Sequence, residues 1–162
     1  MSEECRVIGR KLWILYRSSS IIIAPNYIPK DWFECDLFRV TKSLYAYEYE
    51  IKISIEDYRA DFKKHREFYV PTWHTKKKHW FLRDGDRMGC PNYFFYVVTR
   101  NLAERIERDR ALPEYAGLIV FDRRLITVKP APRIHKNRQT KEQLLHAASS
   151  CMWRFCEQRF AA

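Results

Sequence analysis

The chain has 162 residues, 46% of them hydrophobic and 15% aromatic, which suffices for one well-filled core but not two, so a single domain over 1–162 is expected. A formal net charge of +10 with 31% charged residues points to a polyanionic partner, and the longest apolar runs, such as Ile21 to Ala24, are strand-sized and exclude a membrane span. The acidic start at Glu3 and Glu4 does not suit a secretory leader, and five scattered cysteines without a CxxC pair exclude a disulfide framework, so a reducing cytoplasm is expected.

In chain order, Val7 to Tyr16 carries the partial apolar stripe of a short helix through Leu12, Leu15 and Tyr16. Ile21 to Ala24 reads as a strand closed by the Pro25-Asn26 and Pro29-Lys30 turn signals, and Trp32 to Val40 as a second strand. Tyr45 to Ser54 alternates strictly. Tyr45, Tyr47, Tyr49, Ile51 and Ile53 fall on one face, and Ala46, Glu48, Glu50, Lys52 and Ser54 on the other. Ser54-Ile-Glu-Asp57 has capping-box form, predicting a helix from about Ile55 to Phe68. Pro71 to Cys90 reads as an inserted loop, with Lys76 to His79 and Arg83 to Arg87 exposed. Tyr93 to Val98 is a fully apolar, central strand, and Asn101-Leu-Ala-Glu104 caps a short helix ending before Pro113. Leu118 to Phe121 and Leu125 to Val128 are two further strands, followed by a basic connector from Pro130 to Arg138. Thr140-Lys-Glu-Gln143 caps a last helix over 140–160, with Leu144, Leu145, Ala148, Met152 and Phe155 on its apolar side. These elements make a mixed sheet flanked by helices.

Glu50-Ile51-Lys52 places an acid and an amine on one strand face, and the preceding strand can bring Asp36 alongside Glu50. Two facing carboxylates repel unless a cation lies between them, and hard oxygen donors suit Mg²⁺ or Mn²⁺. The backbone carbonyl of Ile51 offers a third oxygen. Lys52 would orient the attacking water and offset charge developing on a phosphate.

This acid followed by E-x-K resembles the PD-(D/E)xK nuclease superfamily, and within it the MmcB-like bacterial DNA-repair family. The stretch from Glu50 through Ser54, Asp57, Tyr58 and Asp61 to Lys64 is similar to that family's E-x-K strand and the helix after it. Tyr93 to Val98 resembles its aromatic strand, and Tyr115-Ala-Gly-Leu-Ile-Val-Phe-Asp122 with Pro130-Ala-Pro132 its later segments, so the likeness runs from about Trp32 to Pro132. It implies a restriction-endonuclease-like α/β core and metal-dependent cleavage of DNA in preference to RNA. Asp36 and Glu50 would be metal ligands, and Lys52 a contact to water or phosphate. The chain departs from the family pattern at Cys35, where proline is common, in the length of the Pro71 to Cys90 insertion, and in lacking an acid on its first helix, Glu3 and Glu4 lying too near the terminus.

Other residues carry competing readings. Glu48 and Asp57 are expected as supporting acids beside the ligands, Glu48 also as a substitute ligand or sheet-edge charge, and Asp57 and Asp61 as helix-surface charges. Lys76, Lys77, Lys78, Arg133, Lys136 and Arg138 are the expected nucleic-acid contacts. Tyr69, Trp73, Trp80 and Phe81 either stack bases beside the lysines or fold into a flap over the sheet. His74, His79 and Cys90 invite zinc, but their spacing fits no known finger, and Cys151 and Cys156 read as core thiols. The alternative to an enzyme is a silent nuclease fold holding nucleic acid or a protein surface.

Overall fold

A computed structural model describes residues 2–70, 72–85 and 89–160, with the side chains of all of these except 66–76. The first helix, α1 (Glu3–Tyr16), starts earlier than the apolar stripe suggests. The Ser2 side chain accepts from the Cys5 N–H at 3.2 Å, and Glu3 and Glu4 complement the helix dipole. A 3-10 turn at Arg17–Ser19 leads into β1 (Ser20–Tyr27). Pro25 and Asn26 do not end this strand. As an edge strand β1 pairs, among the described residues, with β2 (Cys35–Thr41) alone, and an edge tolerates a proline with no N–H to give. Trp32 and Phe33 precede β2 and are buried in the core instead of extending it.

β3 (Ala46–Lys52) lies in the sheet interior, antiparallel to β2 and parallel to β6 (Tyr93–Thr99). The helix after β3 is shorter than its cap predicts: α2 (Ile55–Asp61) is followed by a hairpin of β4 (His65–Val70) and β5 (Thr72–Lys77). The aromatic and β-branched residues from Phe68 to Thr75 favour extended chain over helix. The inserted stretch therefore supplies a strand and then α3 (Lys78–Asp84), closed by Gly85 at φ 69°. Within the expected loop, Pro71, Asp86, Arg87 and Met88 lie outside the described residues.

α4 (Arg100–Arg108) crosses from β6 to the parallel β7 (Ala116–Asp122), and β8 (Arg124–Lys129) returns antiparallel at the far edge. The sheet order is β1-β2-β3-β6-β7-β8, so the chain is α/β, with a six-stranded mixed sheet flanked by helices, as the sequence predicts. One sheet face packs Trp32, Tyr58, Phe94, Tyr96 and Leu102 under α2, α3 and α4. The other packs Tyr49, Ile51, Phe95 and Val97 against Ile8 and Leu12 of α1. The strict alternation of β3 thus sends its tyrosines and Ile51 to α1, and Glu48, Glu50 and Lys52 to the α2 and α3 side.

The final helix, α5 (Lys141–Phe160), has the expected cap: the Thr140 N–H donates to Gln143 Oε1 at 2.8 Å and the Gln143 N–H to Thr140 Oγ1 at 3.2 Å. Its buried side matches the expected one at Leu144 but not at the other four positions. Leu144, Ala147 and Cys151 face β1, while Leu145, Ala148, Met152 and Phe155 are exposed, and neither Cys151 nor Cys156 is fully buried. Among the described residues no helix is long and apolar enough to cross a membrane.

Candidate functional site

The hairpin register determines what reaches the acids of β3. His65 pairs with Lys77, and the Lys78 N–H donates to the Lys64 carbonyl at 3.2 Å, so Lys64 and Lys78 flank the hairpin base together. Lys78, expected as an exposed nucleic-acid contact, is wholly buried. Its ammonium bridges Glu48 and Glu50, lying 2.5 Å from Glu50 Oε1. Two carboxylates two residues apart on a buried strand face cannot both stay ionised without a cation, and α3 supplies one. Glu48 is therefore neither a sheet-edge charge nor a free ligand; its other oxygen accepts from Trp32 Nε1 at 2.6 Å.

The second oxygen of Glu50 faces two more ammoniums, Lys52 and Lys64, each at 3.1 Å. Asp61 completes the cluster. Far from being a surface charge it is buried, with Lys64 at 2.8 Å and Lys52 at 3.5 Å from Oδ1. Its Oδ2 accepts from the Tyr96 hydroxyl at 2.8 Å and lies 3.0 Å from His79 Nε2, whose Nδ1 is 2.6 Å from the Tyr115 hydroxyl. A signal for Asp61 existed in the sequence: it shares the inward stripe of α2 with Ile55 and Tyr58, at i,i+3 spacing. No local signal marks Lys78, since a run of three lysines reads as solvated. Asp57 is exposed, its N–H donating to the capping Ser54 at 3.1 Å, and its carboxylate stands 3.6 Å from Lys52.

Burial pushes the carboxyls upward and the lysines decide the outcome for each. For Glu48, burial together with the charge of Glu50 outweighs Lys78, and it is raised to about 7. For Glu50, burial is outweighed by Lys78, Lys52 and Lys64, and it is held below the usual carboxylate range. For Asp61, burial is outweighed by the His79 hydrogen bond and the same lysines. Burial alone would lower Lys52, yet Glu50, Asp61, Asp36 and Asp57 raise it, so it is an ammonium at neutral pH and cannot serve as a base.

Asp36 sits at the edge of this cluster, on β2. Its Oδ2 accepts from the Ile51 N–H at 2.7 Å, and with Ile51, Lys52, Asp57, Lys64 and His65 it lines an open cleft of about 850 Å³. Of the expected triad, Asp36 and Lys52 thus line one cleft, and Glu50 lies beneath it against Lys52. Burial, and then the charge of Glu50, raise Asp36 to about 6. Since the folded carboxyl holds its proton more tightly than an unfolded one near 3.8, stability falls as pH rises between these values. Asp36→Asn keeps an acceptor for the Ile51 N–H and removes the titration. The metal-free variant should exceed its parent in stability by about 1–2 kcal/mol above about pH 7 and match it near about pH 4. Urea midpoints across that range check this; a difference independent of pH would assign the effect elsewhere.

The remaining expected contacts are dispersed. Lys77 is exposed, 5.7 Å from the ring of half-exposed Trp80, whereas Phe81 is buried in the core. The side chains of Lys76, Tyr69, Trp73 and His74 lie outside the described residues. Arg133 and Arg138 flank the Tyr45 ring at 6.0 and 5.7 Å, with Lys136 exposed beside them. Tyr45 lies just before β3 and Lys52 ends it, so this basic group stands roughly 23 Å along the strand from the cleft. His79 is engaged by Asp61 and Tyr115, and Cys90 is buried with its Sγ toward backbone carbonyls, an arrangement that does not suit zinc. Among the described residues no three His, Cys, Asp or Glu side chains form a ready-made ligand cluster.

No protein-family model matches the chain, and no curated protein is similar to it. Among solved structures it is similar to SPO1766, a protein of unknown function from Silicibacter pomeroyi, with a TM-score of 0.65 and 16% identity, over 94% of this chain and 89% of that one. At that identity the likeness concerns the fold alone.

Proposed function

We propose that this protein hydrolyses phosphodiester bonds of nucleic acid, DNA in preference to RNA, in the reducing cytoplasm, as the MmcB-like resemblance implies. The observation that carries this reading is the meeting of Asp36 and Lys52 in one open cleft, with Glu50 directly behind them. The five unpaired cysteines support the compartment.

The donor set fits Mg²⁺ or Mn²⁺ in its chemistry. Asp36, Glu50 and the Ile51 carbonyl offer hard oxygens, and Asp36, raised by burial and then by Glu50, forms no ion pair with an ammonium among the described residues. Such an ion would polarise the phosphate and acidify a bound water. Lys52, fixed by Glu50 and Asp61, offers permanent positive charge to a phosphate oxygen in the cleft. Lys78 bridges Glu48 and Glu50 from behind, helps to keep Glu50 ionised, and is too deep to touch substrate.

Labelled single-stranded, duplex and branched DNA and RNA, incubated with the purified protein in Mn²⁺ or EDTA, test the proposal. Cleavage in Mn²⁺ alone is expected, together with binding that weakens steeply with salt and depends little on sequence. Salt-sensitive binding without cleavage under any condition would reject the enzyme in favour of a nucleic-acid-holding module. That second reading draws on the lysines already occupying both oxygens of Glu50.

A further inference from the structure

Three buried carboxylates, Glu48, Glu50 and Asp61, are matched by three ammoniums, Lys52, Lys64 and Lys78. The lysines differ in freedom. The side chain of Lys78 is 0% exposed and that of Lys52 5%, whereas that of Lys64 is 37% exposed. Lys64 also belongs to no helix or strand, standing between α2 and β4, and it lines the cleft. Its ammonium rests between Glu50 Oε2 and Asp61 Oδ1, yet Asp61 Oδ1 is buried without a hydrogen bond of proper geometry. This ammonium donates to Glu50 Oε2 at 3.1 Å, while charge without a directional bond holds it to Asp61. The two oxygens it bridges come from separate carboxylates, the kind of donor a divalent ion takes.

We propose that Lys64 is the exchangeable cation of the site: its ammonium fills the position between Glu50 and Asp61 in metal-free protein, yields it to Mg²⁺ or Mn²⁺, and turns into the cleft to meet a phosphate of the substrate. The proposal rests on Glu50 as a metal ligand, and it adds Asp61 as an oxygen donor. Charge requires the exchange. A divalent ion entering an already matched cluster leaves excess positive charge, offset only in part by Asp36, unless one ammonium departs, and Lys64 is the one with a path to solvent.

Calorimetric titration with Mn²⁺ alone tests the first half. Lys64→Met should tighten Mn²⁺ binding by about ten-fold or more, because one ammonium about 4 Å away opposes the ion by more than that factor even at a surface-like dielectric. Lys64→Arg retains the competing charge and should stay within about three-fold of the parent, as should Lys63→Met, which removes an exposed neighbouring charge. Lys64→Gln serves where the methionine variant folds poorly. Unchanged or weaker Mn²⁺ binding without the Lys64 charge, or equal tightening in Lys63→Met, would overturn the exchange. Absence of Mn²⁺ binding in parent and variants alike would remove the metal ligand role of Glu50 and this proposal with it. The second half is read with a phosphorothioate DNA oligonucleotide, which resists cleavage. In saturating Mn²⁺, Lys64→Met should lower the salt slope of binding by about one phosphate contact, and without Mn²⁺ it should not. An unaltered slope in Mn²⁺ would show that the released ammonium does not reach the substrate.

Discussion

Lys78→Ala is expected to destabilise the protein by about 3–5 kcal/mol at mildly alkaline pH, since it strands two adjacent carboxylates in the core without the ammonium that bridges them. The loss should be smaller in acid. Glu48 is already raised to about 7 with Lys78 in place, by burial first and then by the charge of Glu50. Without Lys78 the folded Glu48 carboxyl holds its proton still more tightly than the unfolded one, whereas Glu50 keeps Lys52 and Lys64. The defect at Glu48 therefore grows as pH rises from the unfolded pKa through the folded one and is least below the unfolded one. Adding Glu48→Gln should restore part of the loss by removing one of the two repelling charges. Urea unfolding of parent, single and double variants at an acidic and an alkaline pH reads all three effects. A Lys78→Ala protein within about 1 kcal/mol of the parent at both pH values would mean that this ammonium is not the counterion of Glu48 and Glu50.

Lys52→Met should tighten divalent binding rather than weaken it, since it removes an ammonium beside the same oxygens of Glu50 and Asp61 that Lys64 bridges. It should also reduce cleavage by about two orders of magnitude or more, the scale of losing one electrostatic contact to a transition state. Asp36→Ala should lose both metal binding and cleavage, because it removes a proposed ligand at the cleft. The pair separates a ligand from a charge that acts on substrate. Glu48 would be a poor control, being the partner of Lys78 and Trp32; Glu56, exposed on α2, is the better one, and Glu56→Ala should cleave at the parental rate. Calorimetry with Mn²⁺ beside a cleavage time course checks each variant. Equal loss of metal affinity in Lys52→Met and Asp36→Ala would reject the separate roles.

The row of Glu48, Glu50 and Lys52 was legible because a strand's period of two is a property of neighbouring residues and survives whatever packs against it. The same holds for the caps at Ser54 and Thr140, where a side chain bonds backbone only three residues on. Asp36 was legible for a related reason, since adjacent antiparallel strands joined by a short turn bring nearby positions to one face. Tertiary structure alone decided the rest. The run from Phe68 to Thr75 carries extended-chain propensity, but only closing the hairpin places Lys64 and Lys78 over the acids of β3. Lys78 and Glu50 are 28 residues apart, and nothing around Lys78 distinguishes it from the exposed Lys77 beside it. Likewise α5 buries the side that meets β1, leaving Met152 and Phe155 exposed, because burial depends on which surface a helix finds and not on its own stripe. Backbone patterns are local, whereas the counterion of a buried charge is chosen by the packing of distant segments, and that choice determines which acids here stay ionised.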